Sequence, residues 1–239
     1  MVCRRLNGRL FLEVNMAQTI STLTDFINYV NTMYNTSSTP PIAGEEDYLV
    51  WTNLANIAIN TWENDDLWQE LYVQLSAAPN GVKTTTDGVY SYACPTLFKF
   101  PACGYVWLGT ELSKSPYKVI DITEKQLYED NADSWCYFIK GASPSLQFNP
   151  NCLIPDDQTI TYQYYKKASK VSSGTDVFEM SDPMFAVYFV LAELKKDEGN
   201  SGELQMAAEK LTRMKDMNEM PSWFQTNQLN NKIGVGFNN

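Results

Sequence analysis

Histidine is missing from this 239-residue chain. That excludes histidine metal ligands, Ser–His and Cys–His nucleophile pairs, and an imidazole acting as acid or base. Basic side chains are missing from residues 10–82, which carry Glu13, Asp25, Glu45, Glu46, Asp47, Glu63, Asp65, Asp66 and Glu70. No apolar run reaches the ~18–20 residues that span a bilayer, so no membrane partner is expected. Cysteine is scarce and odd in number: Cys3, Cys94, Cys103, Cys136 and Cys152, with no CxxC spacing. Free thiols in a reducing compartment are the expectation. No glycine-rich phosphate loop and no GxSxG elbow occurs. No cofactor, no metal and no catalytic constellation is expected.

What is present is apolar, aromatic and acidic. Hydrophobic residues make up 44% of the chain and aromatics 13%, enough to build a core. The 18 basic and 28 acidic residues leave a net charge of −10, which argues against wrapping nucleic acid by phosphate neutralisation. The basic-free stretch reads either as a solvated acidic face or as a surface that repels a polyanion such as DNA. Asp65-Asp66 and Asp156-Asp157 are paired carboxylates beside Asn or Pro, where turn chemistry explains them. Glu45, Glu46 and Asp47 suit a helix N-terminus, with cation binding as the other reading. The run from Tyr162 to Lys167 interleaves aromatic and basic residues, a pattern of core strands more than of a base-stacking platform.

Periodicity divides the chain into three. In residues 22–34, Leu23, Phe26, Ile27, Val30, Met33 and Tyr34 recur at helical spacing, with Thr22 or Thr24 as cap. A second helix follows from Glu45 to near Asn64, with Tyr48, Trp51, Leu54, Ala55, Ala58 and Trp62 on its stripe. Residues 68–165 then turn aromatic and β-branched between turns such as Asp87-Gly88. Strands are predicted at residues 82–86, 89–93, 105–109, 117–122, 135–139, 145–148 and 159–165, with a short helix over residues 123–131. Asp182-Pro183 opens a helix, residues 184–192, that is apolar on every side and so needs covering on every side. Leu204, Ala207, Ala208, Leu211 and Met214 mark a last helix, ended by Pro221.

These readings predict an α+β fold: a helical bundle from residues 19–64 and 182–219, with an antiparallel β-rich subdomain (residues 68–165) inserted into it. Residues 1–16 read as an extension. Residues 221–239 read as an arm with one charge, Lys232, and five apolar groups: Trp223, Phe224, Ile233, Val235 and Phe237. Either the arm frays or it orders on a partner. The ordering reading makes those five residues a candidate portal or subunit interface.

The sequence of helices, strands and helices resembles the head-to-tail connector, or adaptor, proteins of tailed bacteriophages, including tail accessory factors. The resemblance spans residues 17–220 and is diffuse. It is carried by Trp68, by Asp87-Gly88-Val-Tyr90, by Cys94-Pro95-Thr-Leu-Phe98, by Phe148-Asn-Pro150, by the strand from Thr159 to Lys166, and by Ser181-Asp-Pro183 before an apolar helix. Lys210-Leu211 and Arg213-Met214 on the final helix complete it. The resemblance implies a structural virion protein, not an enzyme, made in the host cytoplasm and placed at the head–tail junction. Its partners would be the portal protein, further copies in a ring (typically of twelve), a tail or nozzle protein, and genomic DNA that passes without sequence-specific binding. On that reading Glu45, Glu46 and Asp47 are the candidate acidic surface of a DNA channel. Two other classes stay open: a carboxylate-dependent, carbohydrate-active hydrolase, and a non-viral ligand-binding module.

Overall fold

A computed structural model describes residues 5–6, 9–10, 20–35, 39–75, 83–109, 116–128, 133–199 and 202–218 of the chain. Of the expected N-terminal extension, only a two-residue ladder is described, Arg5–Leu6 (β1) against Arg9–Leu10 (β2). The expected arm, residues 221–239, lies outside the described residues.

Helix α1, Leu23–Tyr34, forms where the sequence places it. Thr22 caps it: its hydroxyl oxygen accepts the Asp25 N–H at 3.2 Å, and the Asp25 carboxylate accepts the Thr22 N–H at 3.0 Å. This reciprocal box satisfies two amides that would otherwise lack partners. Further orphans at this end are taken up by the distant loop around residues 174–176. Leu23 N–H donates to the Asp176 carbonyl at 2.9 Å and Thr24 N–H to the Gly174 carbonyl at 3.0 Å. The approach is tight enough that a Cβ on Gly174 would sit 2.5 Å from Thr24 Oγ1. Helix α2, Glu46–Asp65, buries Tyr48, Trp51, Thr52, Ala55, Ala58, Ile59, Trp62 and Glu63 on one face.

Eight strands follow: β3 (Tyr72–Leu75), β4 (Ser91–Ala93), β5 (Phe98–Pro101), β6 (Tyr105–Leu108), β7 (Tyr117–Val119), β8 (Trp135–Ile139), β9 (Ser145–Phe148) and β10 (Ile160–Lys166). They make one mixed sheet in the order β3-β10-β6-β7-β8-β9-β4, curled into a half-barrel. All described pairings are antiparallel except β7 with β8. β10 organises the sheet by pairing with three strands. β3 and β5 both oppose Tyr164 and Tyr165, so they occupy opposite edges of β10, and β6 takes up its first two residues. A short helix α3, Lys125–Tyr128, sits between β7 and β8.

The sheet, rather than a helical bundle, dominates the molecule, which corrects the expected fold class. It is neither an insertion nor purely antiparallel. Side chains alternate across a strand, and β10 uses both of its faces. Ile160, Tyr162 and Tyr164 enter a sheet core with Phe98, Phe138, Leu146 and Phe148. Tyr165 points the other way, into a core with Trp62, Trp68, Leu71 and the helices. One strand is therefore the wall shared by both cores, and the sheet cannot be lifted out as a subdomain. Two strands lie outside those the sequence predicts: β3, the continuation of the Gln69–Leu71 turn, and β5, whose alternation Phe98-Lys99-Phe100 is only three residues long. The expected strand at residues 82–86 is represented by a single bridge, Thr84 to Thr159.

Helix α4, Met184–Leu194, touches α1, α2 and α5 (Gly202–Asn218), and buries Phe185, Ala186, Val187, Val190 and Leu191. This accounts for its all-round apolar surface. Asp182 Oδ1 accepts the Met184 N–H at 3.1 Å, so Asp182 caps α4 as the sequence predicts. Ion pairs clamp both ends of the α4–α5 hairpin: Lys210–Asp182 at 3.0 Å and Lys195–Glu203 at 2.9 Å.

Candidate interaction surfaces

Glu45, Glu46 and Asp47 are all exposed at the start of α2. Gly44, at φ +99°, turns the chain into the helix, and Glu45 Oε2 accepts the Ile42 N–H at 2.9 Å. Negative charge here is favoured by the helix dipole. All three side chains are open to solvent, Glu45 while it also closes the turn onto Ile42.

The same helix shows a feature that the periodicity of its buried face conceals. Residues 48–62 carry no charge at all. The solvent side shows Leu49, Val50 and Ile57 at 53%, 41% and 49% exposure, with Asn53, Asn60 and Thr61 between them. At 100° per residue these positions, with Glu46, fall within about a third of the helix circumference. Valine and isoleucine are poorer helix formers than the Lys, Glu or Arg usual on a solvated face. Their presence outside therefore reflects something other than helix stability. The signal was legible in the sequence as a charge-free run fifteen residues long.

A groove of about 510 Å³ opens on the curled sheet, bounded by Pro101, Val119, Ile122, Phe138, Ile139 and Lys140. Ile122, Ile139 and, nearby on α3, Leu127 are exposed at 52%, 38% and 80%. Lys140, exposed, is the basic residue of its lining; Lys125, its ammonium 5.9 Å from the Tyr137 ring centroid, and Lys118, 5.6 Å from the ring of Tyr128, are not part of that lining. Asp121 also borders the groove but is turned to its own loop, accepting from Thr123 N–H at 2.9 Å and Thr123 Oγ1–H at 2.8 Å.

A second depression, about 460 Å³, lies where α5 ends, between Gln69, Glu70, Ser181, Met214, Met217 and Asn218. Asn218 is fixed there: its Oδ1 accepts the Gln69 N–H at 3.0 Å and its Nδ2 donates to the Leu67 carbonyl at 2.9 Å. The chain leaves the described region at this point. Trp223, Phe224, Ile233, Val235 and Phe237, the predicted portal or subunit contacts, lie outside the described residues.

The carboxylate pairs are spent on structure. Asp65 pairs with Lys215 at 2.8 Å, and Asp66 Oδ1 accepts the Leu67 N–H at 2.7 Å. Asp156 Oδ1 accepts the Asp87 N–H at 3.2 Å, and Asp157 takes φ 53° in a turn. Among the described residues no three His, Cys, Asp or Glu side chains gather to hold a metal, and no helix is long and apolar enough to cross a membrane. The four described cysteines are free. Burial pushes the Cys94 thiol up to about 11, against a Tyr162 hydrogen bond that lowers it, and burial also raises Cys136. Neither is a poised thiolate. The aromatic–basic run of β10 is core: Tyr162, Tyr164 and Tyr165 are buried, and Lys166 pairs with Glu179. The sequence matches no protein-family profile and no curated protein.

Proposed function

We propose that the chain is a structural adaptor at the head–tail junction of a tailed bacteriophage, forming a ring beneath the portal through which genomic DNA passes. The reading rests on the resemblance set out above. The observation that supports it best is the electrostatic make-up of α1 and α2. These two helices lie in one layer without a single basic side chain, and their exposed corner presents Glu45, Glu46 and Asp47. A face of one sign repels DNA and lets it slide instead of adhering.

The decisive measurement is the mass and shape of the purified native particle, alone and with a portal ring, by light scattering and electron microscopy. A ring, or stoichiometric binding to the portal, is the expected outcome. A monomer that ignores the portal overturns the reading. Replacing Glu45, Glu46 and Asp47 together by lysine should leave assembly intact and slow genome ejection; normal ejection would remove them from the channel surface. Deleting residues 222–239 should leave a folded subunit that no longer attaches to the portal. Unchanged portal affinity in that truncation would discard the arm. No observation favours the hydrolase, since the carboxylate pairs on which it would rest are engaged in turns and an ion pair.

A further inference from the structure

We propose that Trp223, which follows α5 closely in the chain, folds back into the depression at the end of that helix and anchors the root of the C-terminal segment to its own chain. The contact needs no second copy and stands apart from the ring reading.

The point from which the segment starts is fixed. Lys215 pairs with Asp65 at 2.8 Å, and Asn218 holds the Gln69 N–H at 3.0 Å and the Leu67 carbonyl at 2.9 Å. The last turn of α5 is thereby tied to the connection between α2 and β3. The depression opens at the same spot, with Met217 and Asn218 in its wall, so the tether begins inside the site. An extended chain gains about 3.3–3.6 Å per residue, which keeps Trp223 within roughly 17 Å of Asn218. Pro221, between them, cannot continue the helix and disfavours a helical residue before it. The chain therefore leaves the α5 axis before it reaches Trp223. A tether this short gives an effective concentration on the order of millimolar, so even a contact of modest strength is occupied.

The depression suits an indole better than the other apolar groups of the segment. Its volume, about 460 Å³, is room for a large side chain and not for a further strand or helix. Its lining is mixed. Met214 and Met217 offer thioethers, which pack favourably on aromatic rings. Gln69, Glu70 and Ser181 offer acceptors to an N–H. Among Trp223, Phe224, Ile233, Val235 and Phe237, only tryptophan carries a side-chain donor beside its apolar body. The surroundings also leave apolar surface to cover, with Met217 exposed at 59% and Leu67 at 45%.

The segment is thereby divided. Of the five apolar groups assigned to a portal or subunit contact, Trp223 serves the body of its own chain, and the other four stay available to a partner. An anchored root gives the distal part a defined starting point, which lowers the ordering cost of any contact it makes.

The test is tryptophan fluorescence on the full chain. Trp223 is isolated as the difference between each protein and the same protein carrying Trp223→Phe. The wild-type difference spectrum should be that of a shielded indole, blue-shifted and several-fold less quenched by acrylamide than a peptide of residues 219–226. Two variants address the depression, both at exposed positions: Met217→Glu, and Ser181→Arg, which fills the depression from its other wall. Each should shift the difference spectrum to the red and restore quenching while circular dichroism stays near wild type, and release by either supports the contact.

A water-exposed Trp223 in the wild type overturns the proposal. So does a shielded Trp223 that neither variant releases, because it then docks elsewhere. Shielding that disappears on dilution assigns the site to the tail of a second copy and likewise overturns an intrachain contact. The assay contains no portal, so these outcomes stand whether or not the chain binds one.

Discussion

The helical layer and the curled sheet bury comparable side chains by different means. The helical core is built on Trp51, Trp62 and Trp68 with aliphatic neighbours, on faces that repeat at helical spacing. It is tied by contacts distant in sequence but few in number. Glu63, nearly buried, pairs with Lys99 of β5 at 2.9 Å and accepts the Ala168 N–H at 3.1 Å. Asn56 exchanges two hydrogen bonds with the backbone of Val171, at 2.8 and 2.9 Å. The sheet core is instead a nest of rings: Phe98 stacks on Phe138 at 5.1 Å between centroids, Phe138 meets Tyr162 at 5.3 Å, and Tyr117 meets Phe148 edge-on at 4.9 Å. Aromatic pairs add about 0.5–1.5 kcal/mol beyond area, which suits strands too short to bury much each. The contrast teaches that local pattern builds the first region and long-range pairing the second. β10 holds them together.

The sharpest way to break that comparison is to open one core and watch the other. Trp62→Ala should cost about 3–5 kcal/mol. Trp62 is fully buried and stacks on Trp68 at 5.3 Å, whose indole N–H donates to the Trp62 carbonyl. Phe138→Ala should cost about 3 kcal/mol, at the lower end, because the ring is slightly exposed. Since Tyr165 and Tyr164 of β10 face the two cores, helical and aromatic circular dichroism should melt together in both variants. Separate transitions would show two independent units.

A smaller effect is expected at the seam. Glu63→Ala leaves the Lys99 ammonium and the Ala168 N–H without this partner and should cost about 2–4 kcal/mol, reduced because Lys99 is partly solvated. Glu63→Gln keeps an acceptor and should cost less. Equal losses in urea titrations would mean that the carboxylate's charge, not its hydrogen bonding, holds the seam. Gly174→Ala should cost about 1–3 kcal/mol by forcing the loop off Thr24. A neutral result would show that the loop can retreat from α1 freely.

The smallest effect sits at the cap. Thr22→Ala should cost about 1 kcal/mol. It should also change the acid limb of stability. The side-chain and then the backbone hydrogen bonds with Thr22 hold the Asp25 carboxyl below its ordinary 3.8. In Glu179, burial raises the carboxyl, but Lys166 and Ser169 outweigh it and the result is lowered from 4.5. A carboxyl lowered in the folded state stabilises above its unfolded value, and that contribution is lost as pH falls through the folded one. Wild-type stability should therefore decline below about pH 4, and Thr22→Ala should decline less steeply there. Identical slopes would remove Asp25 from the acid response.

Sequence alone determined the parts whose causes are neighbours. The Thr22–Asp25 box, the stripes of α1 and α2, the Asp182 cap and the Asp87-Gly88 turn all follow from residues a few positions apart, because a helix repeats every 3.6 residues and a turn closes in four. The exposure of Glu45, Glu46 and Asp47 was legible for the same reason, and so, unread, was the charge-free run on α2. The tertiary structure alone decided that the strands form one sheet. β3 and β10 lie some ninety residues apart in the chain, and only their pairing reveals β3 as a strand. It alone decided the parallel step from β7 to β8, and the groove that step borders. Helix periodicity is paid for locally, residue by residue. Strand pairing is settled by closing long loops against the burial of rings contributed by the whole chain, which no window of sequence contains.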